Sequence, residues 1–250
     1  MMAGPLALLG GMEHLPIFLD ADRALLDMTG ADQPRVSVVP VASTRKKRPE
    51  AAALARGHWA KLGARVTVAL PEHGLAHALE VVHDADVIVL TGGHPNLLVG
   101  GLGASPLWDE IVARWLDGAA LSGSSAGAMA VFQWRIRLYP PDPLKLIPGL
   151  GLVHDYVAAP HFDRLRVRRW GQRVLHRLGG HGIIGIDEGT ALMGHGDIFT
   201  VAGSGEVTVI DDTGMEAFTR GSEVTLDIHT RSAVVSNDVT PEWDRELALV

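Results

Sequence analysis

Up to about residue 125 the sequence alternates short, uninterrupted apolar runs with stretches of helical spacing. This alternation is the feature that most limits what the chain can fold into. Leu6–Leu9, Arg35–Val41, Ala64–Leu70, Asp86–Leu90 and Ala119–Leu121 read as strands. Glu50–Leu62, Gly74–Val82 and Pro106–Leu116 read as helices. A strand that is apolar along its whole length must be covered on both faces, and helices of ~10 residues between such strands supply that cover. The pattern predicts an α/β fold with a mostly parallel sheet and helices on both faces. Beyond it the chain is less regular. Pro140, Pro141, Pro143 and Pro148 mark a loop, and Pro148–Gly151 has the composition of a lid hinge. Tyr156–Ala159 reads as a short strand, Arg164–Leu178 as a basic helix and Ile183–Asp187 as a strand. From Thr190 onward, Ile198–Val201, Glu206–Ile210, Val224–His229 and Ala233–Val235 read as strands of a β-rich C-terminal extension running antiparallel on the same sheet. No linker or internal repeat interrupts the sequence, so a single domain over 1–250 is expected.

Composition removes several classes of function. Apolar residues make up 47% and charged residues 20% of the 250 residues, an ordinary globular balance. There is no Cys, which excludes a thiol nucleophile, a disulfide framework and thiolate metal sites. A net charge of -7 argues against a nucleic-acid partner, which selects basic surfaces. No apolar run reaches the ~18–20 residues of a membrane span. The N-terminal residues lack the basic start of a secretory signal, so a cytoplasmic location is expected, without a membrane partner. The basic run Arg45-Lys46-Lys47-Arg48 reads as a solvated loop ahead of a helix starting near Pro49.

The sharpest local signal is Gly123-Ser124-Ser125-Ala126-Gly127, a G-x-S-x-G that follows a strand and precedes an Ala/Met/Val run able to start a helix. That is the setting of a nucleophile elbow. The tight turn tolerates only small flanking residues, and the new helix offers free N–H groups to an oxyanion. A serine hydroxyl also needs a base and a group to orient that base. His161 stands just past the end of a short apolar strand, where catalytic groups collect in open parallel sheets. Asp187 and Glu188 close the strand at 183–187. Neighbouring strand residues point to opposite faces, so at most one of the two carboxylates should face the site. Thr91-Gly92-Gly93-His94 also ends a buried strand, and its glycines suit a second oxyanion donor.

Together these residues resemble the S51 serine peptidases, which include cyanophycinase and aspartyl dipeptidase. The resemblance rests on the Ser125 elbow, the Thr91-Gly-Gly loop, the His161-Phe162 pair and Gly185-Ile-Asp-Glu-Gly-Thr-Ala-Leu192, in preserved order and spacing from about Leu6 to about Asp212. It implies a class I glutamine amidotransferase-like fold with Ser in place of the usual Cys. It implies Ser125 as nucleophile, His161 as general base and Glu188 as orienting acid, with N–H groups of Gly93 and Ala126 forming the oxyanion hole. No metal or organic cofactor is implied. The expected partner is a small peptide or isopeptide with an aspartyl residue at the cleaved bond, and a homodimer is left open. His94, Asp187, Arg164 and Arg166 are the candidates for substrate contact. The two arginines either hold a carboxylate of an acidic peptide or form an exposed basic face with Arg168 and Arg169. The sequence departs from the family at Pro160, where the cyanophycinase branch has Gln, and at His94-Pro95, where the family has Asn-Gln. Because folds of this kind also host proteins that only bind, the competing expectation is a non-catalytic binding protein, in which Ser125 and His161 would stand well apart.

Overall fold

The computed structural model describes residues 3–137, 145–165, 175–176 and 178–226. Its centre is an eight-stranded sheet of β1 (Leu6–Leu9), β2 (Arg35–Val39), β3 (Arg65–Val68), β4 (Val87–Leu90), β5 (Ala120–Ser124), β10 (Thr190–His195), β11 (Ile198–Gly203) and β14 (Glu223–Thr225). The strand order is β14-β11-β10-β1-β5-β4-β2-β3. Neighbours from β1 to β3 run parallel. β10, β11 and β14 pair antiparallel beyond β1. β1, β4 and β5 are buried along their whole length, and they lie at the middle of the sheet. Two apolar clusters, one on each face, cover them. Leu8, Ile88, Leu90, Trp108, Ile111 and Leu121 belong to one. Leu9, Leu25, Val38, Trp59, Val87 and Val89 belong to the other. At roughly 25 cal/mol per Å² of apolar surface buried, these two clusters dominate the stabilisation of the layer.

The helices are α1 (Leu19–Asp27), α2 (Arg48–Lys61), α3 (Leu75–His83), α4 (Pro95–Leu102), α5 (Pro106–Leu116) and the short α6 (Ala126–Ala130). α5 shows how local sequence sets an element. Ser105 accepts from the Trp108 N–H as N-cap, Pro106 takes the first turn, and Leu107, Trp108, Ile111, Val112 and Trp115 form the buried face.

The C-terminal strands depart from the expected arrangement. Only part of them extends the main sheet. β8 (Tyr156–Pro160), β9 (Gly182–Ile186), β12 (Val207–Asp211) and β13 (Gly214–Phe218) form a separate sheet in the order β13-β12-β9-β8. The hairpin β6 (Trp134–Ile136) with β7 (Leu146–Pro148) makes a third, where the prolines suggested only a loop. The Pro148–Gly151 segment is hydrogen-bonded to its surroundings. Gly149, Leu150 and Gly151 donate to Gln133, Ala130 and Phe132 carbonyls at 2.9, 2.7 and 3.2 Å, and the Trp108 indole donates to the Leu150 carbonyl. These bonds tie the segment to the end of α6 and the residues that follow it. Arg48 is not a solvated residue either. It pairs with Glu72 and donates to the Ser43 and Val41 carbonyls, while Arg45, Lys46 and Lys47 are exposed. The expected strand at 233–235, and most of the expected helix at 164–178, lie outside the described residues.

A polar group sits inside the second cluster. His58 of α2 and Asp22 of α1 meet at 2.6 Å with side chains 3% and 5% exposed, and burial pushes the Asp22 carboxyl above its ordinary range. The His14 ring lies 5.7 Å from that of His58. Burial lowers His14 to about 4, with neighbouring His58 pushing the same way and Glu13 opposing. His14 is therefore neutral in the folded protein at neutral pH. Its contribution to stability is complete above pH 6.5 and is lost as pH falls through about 4, because the unfolded chain takes the proton first. That loss amounts to about 3 kcal/mol. Asp22 acts in the opposite sense, so the effect is read as a difference. Urea unfolding of wild type and His14→Asn between pH 7 and pH 4 is expected to show the wild type losing ground to the variant. Asn keeps the positive φ of this position, 64°, at little cost. Parallel pH profiles would contradict this.

Candidate active site

The site forms where β1, β5, β8 and β9 end. Ser125 follows β5 and has φ 47° and ψ -102°, a conformation that costs a non-glycine residue on the order of 1–3 kcal/mol. Its N–H donates to the Leu9 carbonyl at 2.9 Å, which ties the elbow to the end of β1. The glycines of the motif are there for close approach. A Cβ on Gly127 would stand 2.4 Å from the Leu90 carbonyl oxygen, so only glycine lets α6 start against the end of β4. Ala126 is the first residue of α6, and a helix leaves its first N–H groups without internal partners.

His161 directly follows β8 and has φ 54°. Its N–H donates to the Gly10 carbonyl at 2.9 Å. Its Nε2 lies 2.9 Å from Ser125 Oγ, and its Nδ1 lies 2.7 Å from Glu188 Oε1. Nδ1–H therefore donates to the carboxylate, which leaves Nε2 to accept the Ser125 hydroxyl proton. The ring stands close to Gly11, where a Cβ would lie 2.2 Å from Cε1. The other oxygen of Glu188 accepts from the Arg164 guanidinium, and the Glu188 N–H donates to Asp163. Ser125, His161 and Glu188 thus form one hydrogen-bonded chain, separated by 36 and 27 residues in sequence.

The carboxylates at the end of β9 diverge, as strand alternation requires. Glu188 reaches the histidine. Asp187 is buried and its Oδ2 accepts from the Glu206 N–H at 3.0 Å. It holds the turn into β12. Gly93 is exposed, in the turn before α4. His94 is the N-cap of α4, and Pro95 occupies its first turn. Arg164 is 69% exposed beside the triad. Arg166, Arg168 and Arg169 lie outside the described residues. Among the described residues no group of three or more His, Asp or Glu is placed to hold a metal ion, and no helix is long and apolar enough to cross a membrane.

One residue of the site went unread in the sequence. Glu13, just after β1, accepts from the Gly92 N–H at 2.7 Å and from the Ser124 hydroxyl at 2.8 Å. Like His161, Glu13 is a polar residue shortly past the end of an apolar strand.

The family model of Peptidase family S51 matches residues 6–202. The chain belongs to peptidase family S51. A cyanophycinase from Geminocystis herdmanii (strain PCC 6308) is 31% identical over 153 residues, a match covering 57% of this chain and 55% of that protein. The match therefore spans about half the length of that curated relative. Among solved structures, a peptidase from an acI-B1 actinobacterium superposes with a TM-score of 0.77 at 25% identity, over 90% of this chain and 98% of the other. A putative peptidase E from Listeria monocytogenes EGD-e superposes with a TM-score of 0.58 at 18% identity, over 80% of this chain and 98% of the other, and carries the fold alone. Ser125, His161 and Glu188 all fall inside the span that the family model matches.

Proposed function

We propose that this S51 chain is a serine peptidase that cleaves peptide or isopeptide bonds next to an aspartyl residue. The observation that carries the reading is the continuous chain Ser125 Oγ–His161–Glu188, at 2.9 and 2.7 Å. A protein that only binds has no need of an aligned hydroxyl, imidazole and carboxylate on a strained turn. In this mechanism Ser125 Oγ attacks the carbonyl carbon as His161 Nε2 takes its proton. Glu188 keeps Nδ1 protonated and stabilises the imidazolium. The oxyanion is held by the N–H groups of Ala126 and Gly93. His161 then gives its proton to the leaving amine, the C–N bond breaks, and an acyl-enzyme remains. Water, deprotonated by His161, attacks the ester and releases the acid and the free serine.

The acidic preference rests on Arg164. A guanidinium has five N–H donors, and the bond to Glu188 occupies part of that set on a side chain that is largely exposed. The remainder faces solvent beside the triad and suits a substrate carboxylate. Aspartyl dipeptides, α- and β-linked, are expected to be cleaved about 10- to 100-fold more efficiently, in kcat/KM, than their asparaginyl counterparts, the discrimination a site built around one charged contact gives. Equal efficiency on the neutral analogues would remove the aspartyl specificity and leave the serine peptidase.

A further inference from the structure

Four residues at and just beyond the end of β1, Leu9, Gly10, Gly11 and Glu13, contact the segments that carry the candidate site. The Leu9 carbonyl accepts from the Ser125 N–H, the Gly10 carbonyl from the His161 N–H and the Gly11 carbonyl from the Gly189 N–H. Glu13 then reaches across to two further segments. Its Oε1 accepts from the Gly92 N–H, 79 residues away, and its Oε2 accepts from the Ser124 hydroxyl, 111 residues away. The contact with Gly92 is so close that a Cβ there would stand 2.4 Å from Oε1. Met12 and His14, on either side of Glu13, have φ of 67° and 64°. Non-glycine residues hold such angles only where surrounding contacts over-determine them. Two neighbours at positive φ and one carboxylate bonded to the end of β5 and to the turn after β4 is a costly arrangement for a plain surface turn.

We propose that Glu13 is a positioning residue of this site, one that clamps the Gly92–Gly93 turn to the Ser125 elbow so that the oxyanion donors stand ready before substrate arrives. The inference rests on the serine peptidase reading above. The Gly92 N–H donates to Glu13, which anchors the start of the turn one peptide before the Gly93 N–H. The Ser124 hydroxyl is the side chain immediately before the nucleophile. One carboxylate thus sets the spacing between the two segments that supply Gly93 and Ala126. Oxyanion donors act through preorganisation, so a donor left to wander loses most of its effect on the transition state and little on ground-state binding. His14 is neutral and contributes no positive charge to Glu13, so the charge-assisted bonds to Gly92 and Ser124 are what hold the carboxylate.

The test compares wild type with Glu13→Ala and Glu13→Gln on an aspartyl dipeptide, with thermal unfolding and the ¹⁵N-resolved Gly92 and Gly93 amide resonances measured on the same samples. Glu13→Ala is expected to lower kcat about 100-fold with KM within about threefold. Glu13→Gln keeps an acceptor for the Gly92 N–H and is expected to recover kcat to within about tenfold of wild type. The Gly92 amide proton should move upfield in both variants, most in Glu13→Ala. Wild-type kcat in Glu13→Ala overturns the proposal. So does a fall in kcat that follows lost folded protein and is not recovered by Glu13→Gln. If the wild type cleaves no peptide, the peptidase reading fails. The amide spectra then decide the clamp by themselves, and unchanged Gly92 and Gly93 resonances in Glu13→Ala overturn it.

Discussion

Ser125→Ala is expected to abolish peptide hydrolysis while leaving a folded protein. The side chain that changes is half-exposed, and its hydroxyl lies 2.9 Å from His161 Nε2. The contact that holds the elbow in place is a main-chain one, Ser125 N–H to the Leu9 carbonyl, and it survives the substitution. Alanine carries the same Cβ as serine, so the positive φ of 47° is no harder to hold. Stability should change by less than about 1 kcal/mol. Turnover should fall by a factor on the order of 10⁴ to 10⁶, since nucleophile and base act as one unit. For the same reason His161→Ala should fall by a similar factor, and the double variant little further. Labelling by a fluorophosphonate probe should need both residues. Single-turnover hydrolysis followed on all three variants checks this. Turnover retained in Ser125→Ala would show that another group attacks the carbonyl, and a further large fall in the double variant would show that the two residues act separately.

The legible parts of the fold and the site share a physical origin. β1, β4 and β5 are continuous apolar runs because they lie at the middle of the sheet with helices on both faces, and that burial is written in the local sequence. The elbow is legible for the same local reason, since five residues carry both the small side chains and the strand-to-helix change. Helix α1 was hidden. Its buried face includes Asp22 as well as Ala21, Leu25 and Leu26, and a carboxylate at a core position breaks the apolar period. Its partner His58 lies 36 residues away, a distance no pattern of single residues spans. Helix α4 lacks a clear local signature, because Pro95 and the Gly100-Gly101 pair are poor helix formers, yet Pro95 starts the helix and a Cβ on Gly101 would stand 2.5 Å from Val41.

Sheet membership was the other illegible quantity. Alternation tells which residues of β9 and β12 face inward, but not which strand lies alongside. β9 pairs with β8 and β12 and not with the main sheet. This placement brings the ends of β8 and β9 together, and so brings His161 to Glu188. Pairing brings both carboxylates at the end of β9 near β8, and their opposite directions leave Glu188 beside His161 and Asp187 on the Glu206 N–H. Glu13 escaped for a related reason. Both of its partners are main-chain or small-residue groups on distant segments, and nothing beside Glu13 in the sequence marks them.

Gly11→Ala is expected to disable the site without touching any residue of the triad. Gly11 has φ 124°, a region L-residues avoid, and a Cβ there would stand 2.2, 2.8 and 2.9 Å from Cε1, Nδ1 and Nε2 of His161. The histidine ring lies against the bare Cα, held from its other edges by Ser125 and Glu188. A methyl group in that space must push the ring away from one of them or distort the 10–11 backbone, whose Gly10 carbonyl accepts from the His161 N–H. A shift of about 1 Å at a general base costs on the order of 100-fold in rate, and the backbone strain costs about 1–3 kcal/mol of stability. The variant should fold with a lowered melting temperature, lose kcat by about 100-fold or more, and bind substrate almost normally, because the methyl group faces the histidine. Gly30→Ala is the matched control. Gly30 also has a positive φ, 67°, and has no atom within 4 Å of a Cβ, so it should lose stability and keep kcat. Equal kcat in Gly11→Ala and wild type would mean that the ring has room to retreat and still reach the serine, and that the close packing against Gly11 plays no part in aligning the base.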